Sequence, residues 1–290
     1  MGWLDTILQG LLLGGLYALF ATGLSLIFGV MRIVNLAHGD LSILAAFLAV
    51  VVGEALGLNP FVSLALVVPV MAALGYALQM LILNRLLGRG ILPPILVTFG
   101  LSIIIQNALL ETFSADSRRL NPGGIETASL PLGGGLAIGW FPFITLGVAV
   151  LILVALQLVI GRLSVGRAFR AASDDQETAE LMGIDNRRLY GLAMALSLGI
   201  VAVAGVFLGI RTTFTFSSGP DRLLFAFEAV IIGGLGSLWG TLVGGAVLGV
   251  AQTVGAKLSP GWGVLTGHLV FLAVLLLRPQ GLFTRGRRIS

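Results

Sequence analysis

The chain has 290 residues, of which 57% are hydrophobic and 10% are charged, and its mean hydropathy is +1.04. An average soluble domain carries about 25% charged residues, so this composition excludes an ordinary soluble protein and predicts a chain solvated mainly by lipid. The absence of cysteine from the sequence excludes a disulfide scaffold and a thiolate nucleophile. There are 17 basic and 13 acidic residues, and the basic ones are scattered through short loops and not massed in a patch, so nucleic acid is not an expected partner.

Eight windows of mostly apolar residues are long enough to cross a membrane as helices, because a span needs roughly 20 such residues. In chain order the windows are 6–30, 41–58, 61–83, 92–110, 140–160, 189–210, 238–256 and 262–277. A further apolar stretch from Phe225 to Leu235 would reach only about 16 Å as a helix, which predicts a short broken or re-entrant helix. Residues 1–290 are thus expected to form a single all-α polytopic transmembrane domain without a soluble domain.

Arginines in the short loops predict the orientation of the spans, because basic loops stay on the cytoplasmic side. The loop 162–188 contains five arginines and is predicted to be cytoplasmic, which places the N-terminus outside. If the short helix completes a ninth crossing, twelve basic residues lie inside and five outside, whereas eight crossings give nine and eight. We therefore favour nine crossings and a cytoplasmic C-terminal tail. The basic residues of that tail are Arg278, Arg285, Arg287 and Arg288.

The loop 111–139 differs from the other connections because it is rich in glycine, proline and serine and has no long apolar run. The orientation places it outside the membrane. It is interpreted either as a lid or docking surface, or as a solvated connection between two spans.

Polar residues cluster at the start of the second span, where Asn35, His38 and Asp40 precede a long apolar run. In a continuous helix Asn35, His38 and Ser42 would share one face, and Gly39 could break that helix locally. Broken backbone in a membrane must lie against protein or a water-filled cavity. One interpretation is a lining or gate of a translocation route, and the other is a hydrogen-bonded cap at the cytoplasmic start of the span.

Other polar groups also lie within predicted spans. Thr98, Ser102 and Gln106 fall four residues apart in the fourth span and form a stripe that would face a wet cavity or another helix. Glu228 and His268 are ionisable residues in otherwise apolar stretches, a placement that often marks a pathway.

Glu228 admits two interpretations. It is either a gate residue or the buried partner of an arginine such as Arg211 or Arg222. In an ion-coupled secondary transporter, which is one alternative for the whole chain, Glu228 would be the proton or ion site.

The cytoplasmic loop contains a segment that predicts a short helix held outside the membrane. Ser173 or Asp174 can cap its start, Glu177 would complete a capping box with Asp174, and Gly183 can end it in a left-handed conformation. Ala179, Leu181 and Met182 offer a small apolar surface. Such a helix is suited to docking in a groove on another protein.

Several catalytic motifs are missing from the sequence. The single lysine, Lys257, precedes Leu258, so no phosphate-binding loop of the G-x-x-x-x-G-K-[ST] type is present. H-E-x-x-H and G-x-S-x-G motifs are also missing, and we predict no catalytic residue and no metal site. A transport subunit is therefore favoured over an enzyme, and any use of ATP would require a partner.

Five segments carry recognisable motifs: 14–30, 35–40, 166–184, 233–240 and 278–283. The third contains Gly-Arg-x-x-Arg-Ala followed by Ala-x-x-Met-Gly-Ile. Together they resemble the branched-chain amino acid permease family of ABC importers, in its first, shorter subunit type. The resemblance implies a subunit of a type II-like importer for leucine, isoleucine, valine or other hydrophobic amino acids. Related urea permeases share the opening and coupling motifs, so a urea or other small-solute permease is the alternative.

The resemblance also implies an assembly. This chain would form half of the translocation pathway by alternating access, paired with a second related permease. Two cytoplasmic ATPase subunits would bind ATP and Mg, an external or periplasmic protein would bind the substrate, and this chain would need no cofactor. The assembly would lie in a bacterial or archaeal cytoplasmic membrane. The implied ATPase-coupling residues are Arg167, Arg170, Asp174, Asp175, Glu177, Ala179, Leu181, Met182 and Gly183.

Overall fold

A computed structural model describes residues 2–90, 92–133 and 136–283 of the chain. The helices are α1 (Trp3–Met31), α2 (His38–Leu56), α3 (Pro60–Leu81), α4 (Leu92–Phe113), α5 (Trp140–Arg162), α6 (Ser164–Asp174), α7 (Gln176–Leu181), α8 (Asn186–Arg211), α9 (Gly219–Gly233), α10 (Leu238–Leu258) and α11 (Trp262–Leu277). An antiparallel hairpin is formed by β1 (Ser129–Gly133) and β2 (Leu136–Gly139). The tail residues Arg285, Arg287 and Arg288, used in the predicted orientation, lie outside the described residues.

Within the described ranges, seven helices are long and apolar enough to cross a membrane, namely α1 to α5, α8 and α10. The eighth predicted span coincides with α11, whose 16 residues make it shorter than the others. The predicted all-α polytopic membrane fold is confirmed. It differs in having seven rather than eight full-length spans, and in the small hairpin that the apolar windows do not predict.

The short helix predicted from Phe225 to Leu235 is α9, which begins earlier and ends sooner. It starts at Gly219, because Pro220 fits the first turn, where a missing N–H has no cost. It ends at Gly233, and Gly234 follows with a φ of +103°, a conformation that glycine adopts readily. With 15 residues the helix is about 22 Å long.

The most enclosed helices are α1 and α8, and small residues let their neighbours approach closely. A Cβ atom at Gly14 of α1 would lie 2.5 Å from the Cα atom of Ala246 in α10. From the other side, a Cβ atom at Gly245 would lie 2.6 Å from the carbonyl oxygen of Gly14. Such contacts between backbones supply the packing that hydrophobic burial cannot supply in lipid.

Helix α4 lies at the edge of the bundle and packs on α2 along one narrow stripe. Its buried residues are Pro94, Thr98, Ser102, Ile105 and Leu109. Large apolar side chains such as Phe99 and Ile104 are exposed on its other faces. In a membrane these faces contact lipid or another membrane protein.

The connection between α4 and α5 folds back onto the bundle. Arg118 exchanges two backbone hydrogen bonds with Phe214, and the amide of Leu120 donates to the carbonyl oxygen of Gly209 near the end of α8. Gln9 of α1 donates to the carbonyl oxygen of Ala137 at 2.8 Å. This connection therefore covers the bundle end where α1 begins and α8 ends.

Candidate functional site

Helix α2 begins deep inside the bundle. His38, its first residue, lies 3.0 Å through Nε2 from the carbonyl oxygen of Phe20 in α1. Phe20 precedes the end of α1 at Met31 by eleven residues, or about 16 Å of helix. The segment 32–37 therefore runs back into the bundle without forming a helix. Non-helical backbone at this depth is tolerated only where protein or a wet cavity surrounds it.

Two details of the predicted start of the second span are wrong. Asn35 precedes α2, so it does not share a helical face with His38 and Ser42. Gly39 does not break the helix, since it lies in the first turn of α2. It is required for a different reason: a Cβ atom there would overlap the carbonyl oxygen of Gly219, the first residue of α9.

Asp40 brings together the two polar groups that the sequence analysis treats separately. Ser102 donates a hydrogen bond to Oδ2 of Asp40 at 2.5 Å, and Gln106 donates to Oδ1 at 3.0 Å. Thr98 accepts a hydrogen bond from the amide of Leu36 at 3.1 Å. The stripe on α4 thus faces the start of α2. We call Asn35, His38, Asp40, Thr98, Ser102 and Gln106 the polar cluster.

The electrostatics of the polar cluster involve a third helix. Asp40 lies against the N-terminus of α9, since a Cβ atom at Gly219 would overlap its Oδ1 atom. The partial positive charge at a helix N-terminus favours a nearby carboxylate. Two buried nitrogen atoms of the polar cluster, Nδ2 of Asn35 and Nδ1 of His38, have no hydrogen-bond partner within the described residues. The polar cluster thus retains unused donor or acceptor capacity inside the bundle.

Glu228 pairs with a histidine and not with an arginine. Its Oε1 atom is hydrogen-bonded to Nδ1 of His268 in α11, while Oε2 is unpartnered within the described residues. The predicted partner Arg222 instead lies over the ring of Phe225, with its guanidinium carbon 5.9 Å from the ring centroid. The predicted pairing of Glu228 with Arg211 or Arg222 is therefore wrong. The sequence did contain a signal for the correct partner, because His268 is an ionisable residue within a predicted span.

The loop 162–188 forms two short helices, α6 and α7, which we call the α6–α7 hairpin. Asp175 caps α7, because its Oδ1 atom accepts hydrogen bonds from the amides of Glu177 at 3.0 Å and Thr178 at 3.1 Å. Its Oδ2 atom also accepts from the hydroxyl of Thr178 at 2.8 Å. The hydrogen bonds from Thr178, and then that from Glu177, lower the pKa of the Asp175 carboxyl.

The predicted cap of α7 is therefore displaced along the chain. Ser173 and Asp174 do not cap it because both belong to α6, and Glu177 does not form the capping box. Instead, Asp175 is the residue that precedes α7 with the extended backbone of a helix cap, at a φ of −148°. The predicted end is confirmed, since Gly183 adopts a φ of +85° and donates to the carbonyl oxygen of Glu180.

The apolar surface of the hairpin is smaller than predicted. Leu181 and Met182 are 87% and 78% exposed, but Ala179 is buried. Among the remaining coupling candidates, Arg170 is half-buried, and the others are exposed, namely Arg167, Asp174, Asp175, Glu177 and Gly183.

The hairpin is tied to the bundle by two arginines. Arg170 donates to the carbonyl oxygen of Ile160 in α5 at 2.6 Å. Arg32, at the end of α1, donates to the carbonyl oxygen of Ser173 at 3.0 Å. The hairpin thus lies at the end of α1 and α5, whereas the polar cluster lies within the bundle. Glu228 is about 14 Å farther along α9 than Gly219.

These features define an integral membrane protein with a helix that starts inside its bundle, a polar cluster at that point and a small helical hairpin at one end. The family described as "Branched-chain amino acid transport system / permease component" matches residues 6–277. The chain belongs to this family and is a permease component of a transport system.

Similar proteins cover nearly the whole chain. The high-affinity branched-chain amino acid transport system permease protein BraD of Pseudomonas aeruginosa is 30% identical, over 98% of this chain and 96% of BraD. The corresponding permease protein LivH of Escherichia coli is 27% identical over the same shares. The permease protein LivM of Escherichia coli is 26% identical, over 94% of this chain and 68% of LivM.

Proposed function

We propose that this chain is the permease subunit of an ATP-driven ABC importer for branched-chain or other hydrophobic amino acids. The family match over residues 6–277 carries this proposal, and the names of BraD and LivH support the cargo. A urea or other small-solute permease is the alternative within the same fold. Competition for uptake by unlabelled leucine or by urea distinguishes the two cargo classes.

The α6–α7 hairpin is proposed to dock a cytoplasmic ATPase. Leu181 and Met182 are exposed at the end of a short polar helix. Exposed apolar side chains that lie together mark a surface for binding another protein. Arg32 and Arg170 hold the hairpin to α1 and α5, so a movement of α7 would be passed to the spans. The ATPases would bind ATP and Mg, and this chain would need no cofactor.

The polar cluster is proposed to belong to the translocation pathway. Asp40 of the cluster is hydrogen-bonded to Ser102 and Gln106 of α4, and α4 presents its apolar faces outward. A second, related permease would cover those faces and complete a pathway that opens by alternating access. The similarity to LivM, another permease of a branched-chain amino acid transport system, supports a related partner.

The surroundings of the subunit follow from this assignment. By the distribution of basic residues in the loops, the hairpin and the C-terminus would be cytoplasmic and the N-terminus would be outside. The 111–139 connection would then face the external substrate-binding protein. The membrane would be a bacterial or archaeal cytoplasmic membrane.

Affinity purification of the full chain from its native membrane tests the assembly. We expect two ATPases and a second permease to be recovered with it. A chain recovered alone, with transport activity that needs no ATPase, would overturn the proposal. It would favour an ion-coupled transporter, for which the contact between buried Glu228 and partly exposed His268 is the specific observation.

Serine substitutions test the docking surface directly. Leu181→Ser with Met182→Ser should lower recovery of the ATPases about tenfold or more, which corresponds to about 1.4 kcal/mol. Leu163→Ser is the matched control, because Leu163 is also exposed and apolar at the same end of the bundle but lies outside α7. Normal recovery with the double variant would count against docking by α7.

A further inference from the structure

A cavity of about 260 Å³ lies between the cytoplasmic hairpin and the spans. Its walls come from the ends of α1 and α5, from α6, and from the turn before α10. Polar lining residues are Ser25, Gln157, Arg170, Ser173 and Ser237. The volume is far larger than the roughly 10–15 Å³ that one buried water requires. The polar cluster and the exposed tip of α7 do not contribute to it.

Ser25 gives the first indication that the cavity accepts a ligand. The residue is 1% exposed, lines the cavity, and its hydroxyl has no hydrogen-bond partner within the part of the chain that is described. A buried polar group is normally satisfied, so this hydroxyl indicates a missing polar partner. It lies on α1, opposite the hairpin.

The charge of the lining indicates an anion. Arg170 is half-buried and uses Nη1 to bind the carbonyl oxygen of Ile160, so its other N–H groups remain for a ligand. The N-terminus of α10 also borders the cavity at Leu238 and Trp239, whose backbone amides have no acceptor within the helix. Among the described residues, no acidic side chain lines this cavity. A zwitterionic amino acid, which needs an acceptor for its ammonium group, is therefore disfavoured.

The remaining lining is apolar and includes Leu26, Phe169 and Trp239. Tryptophan is enriched where the membrane meets water, and Trp239 is 43% exposed. Basic pockets between helices on the cytoplasmic side are suited to phospholipid head groups. We propose that the cavity binds a phosphate group, supplied by an anionic lipid or by free phosphate, between Arg170, Ser25 and the start of α10. An occupant would join α6 to the ends of α1 and α5 whether or not α7 docks an ATPase.

Native mass spectrometry of the full chain tests the site. The protein is incubated with phosphatidylglycerol or phosphatidylcholine, each in the presence or absence of inorganic phosphate. We expect preferential retention of phosphatidylglycerol, and about a tenfold loss of it in Arg170→Gln. Arg162→Gln is the charge-matched control, since Arg162 is exposed at the end of α5 and does not line the cavity.

A second variant keeps the test valid if Arg170→Gln fails to fold. Gly161 lines the cavity and a Cβ atom there meets nothing within 4 Å, so Gly161→Leu should reduce the available space without a backbone clash. Gly147→Leu is the control, because Gly147 lies in the same helix, also has open space, and is outside the cavity. We expect retention to fall about tenfold only in Gly161→Leu.

The arms separate the two phosphate sources. Retention of phosphatidylglycerol that inorganic phosphate does not displace identifies a lipid head group. Binding of inorganic phosphate that depends on Arg170 and displaces the lipid identifies a free phosphate site. Equal retention by wild type, Arg170→Gln and Gly161→Leu, with no phosphate binding, would overturn the proposal.

Discussion

The α6–α7 hairpin and the polar cluster are both rich in polar residues, but they are held in different ways. In the hairpin, Asp175 binds groups two and three residues away. In the polar cluster, Asp40 binds Ser102 and Gln106, which are 62 and 66 residues away. The cap of α7 is thus specified locally, whereas the cluster exists only when the spans are assembled. Changes in the cluster should disturb the bundle, and changes in the α7 cap should act locally.

Gly39→Ala should have the largest effect. The added Cβ atom would overlap the carbonyl oxygen of Gly219 and lie 2.9 Å from the amide nitrogen of Leu223. Because neither backbone group can rotate away, we expect a loss of about 1–3 kcal/mol or more from overpacking. Thermal unfolding of the purified chain in detergent measures the effect.

Gly100→Ala is the matched control for this close contact. Gly100 is also within a helix, but a Cβ atom there meets nothing within 4 Å. Its substitution should leave stability unchanged or raise it by about 0.5–1 kcal/mol, because alanine favours helices over glycine. Equal loss of stability in both variants would show that the close contact at Gly39 is not what makes that position sensitive.

Asp40→Ala should have the next largest effect. The change leaves the buried hydroxyl of Ser102 without its acceptor and removes one of the two acceptors of the Gln106 amide, which also donates to Ser102. An unsatisfied buried group costs about 1–3 kcal/mol. Glu54→Ala is the control, because Glu54 lies near the other end of α2 in an exposed ion pair with Arg118. That pair should contribute about 0–1 kcal/mol. Similar unfolding midpoints for the two variants would contradict the long-range role of Asp40.

The contact between Glu228 of α9 and His268 of α11 is a second long-range interaction that can be tested. A double-mutant cycle with Glu228→Gln and His268→Gln should give a coupling energy of about 0.5–3 kcal/mol, because the two side chains are in direct contact. Unfolding of the two single variants and the double variant supplies the measurement. Additive effects would show that the pair does not join α11 to α9.

The same variants distinguish a structural pair from an ion site. Transport by Glu228→Gln that still depends on the ATPases, with lowered stability, identifies a structural partner. Transport that loses its dependence on a proton gradient when Glu228 is changed would identify an ion site and revive the secondary-transporter alternative.

The sequence predicts features that depend on neighbouring residues. Apolar windows predict the spans, and α11 occupies the predicted window 262–277. The left-handed end of α7 follows from Gly183, because glycine adopts positive φ without steric cost. The cap of α7 is misplaced by one or two residues, since Ser173, Asp174 and Asp175 are all chemically suitable. Because α6 ends at Asp174, Asp175 is the residue left outside both helices, and it therefore caps α7.

Features that depend on packing between spans were not predictable from spacing. The stripe of Thr98, Ser102 and Gln106 was evident, but its partner Asp40 is fixed by the position of α2 against α4. The depth of His38 depends on the non-helical segment 32–37, which hydropathy does not distinguish from a short surface loop. Likewise, an arginine was the expected partner of Glu228, because charge suggests attraction but does not determine which helices meet.

Asp175→Ala should have the smallest global effect and a clear local one. The change removes the acceptor for the amides of Glu177 and Thr178, so α7 should exchange its amide hydrogens faster while the spans remain protected. Asp174→Ala is the control, because Asp174 is the last residue of α6 and does not cap α7.

The cap should also depend on pH. Because hydrogen bonding lowers the pKa of Asp175 in the folded state, the contribution of Asp175 to the stability of α7 is complete above the unfolded value of about 3.9. It is then lost as the pH falls through the lower folded value. Exchange in α7, compared with the uncapped variant at each pH, should therefore show a constant advantage at neutral pH that disappears only in strong acid. Faster exchange throughout the spans would mean that the hairpin is coupled to the bundle more strongly than its local hydrogen bonds indicate.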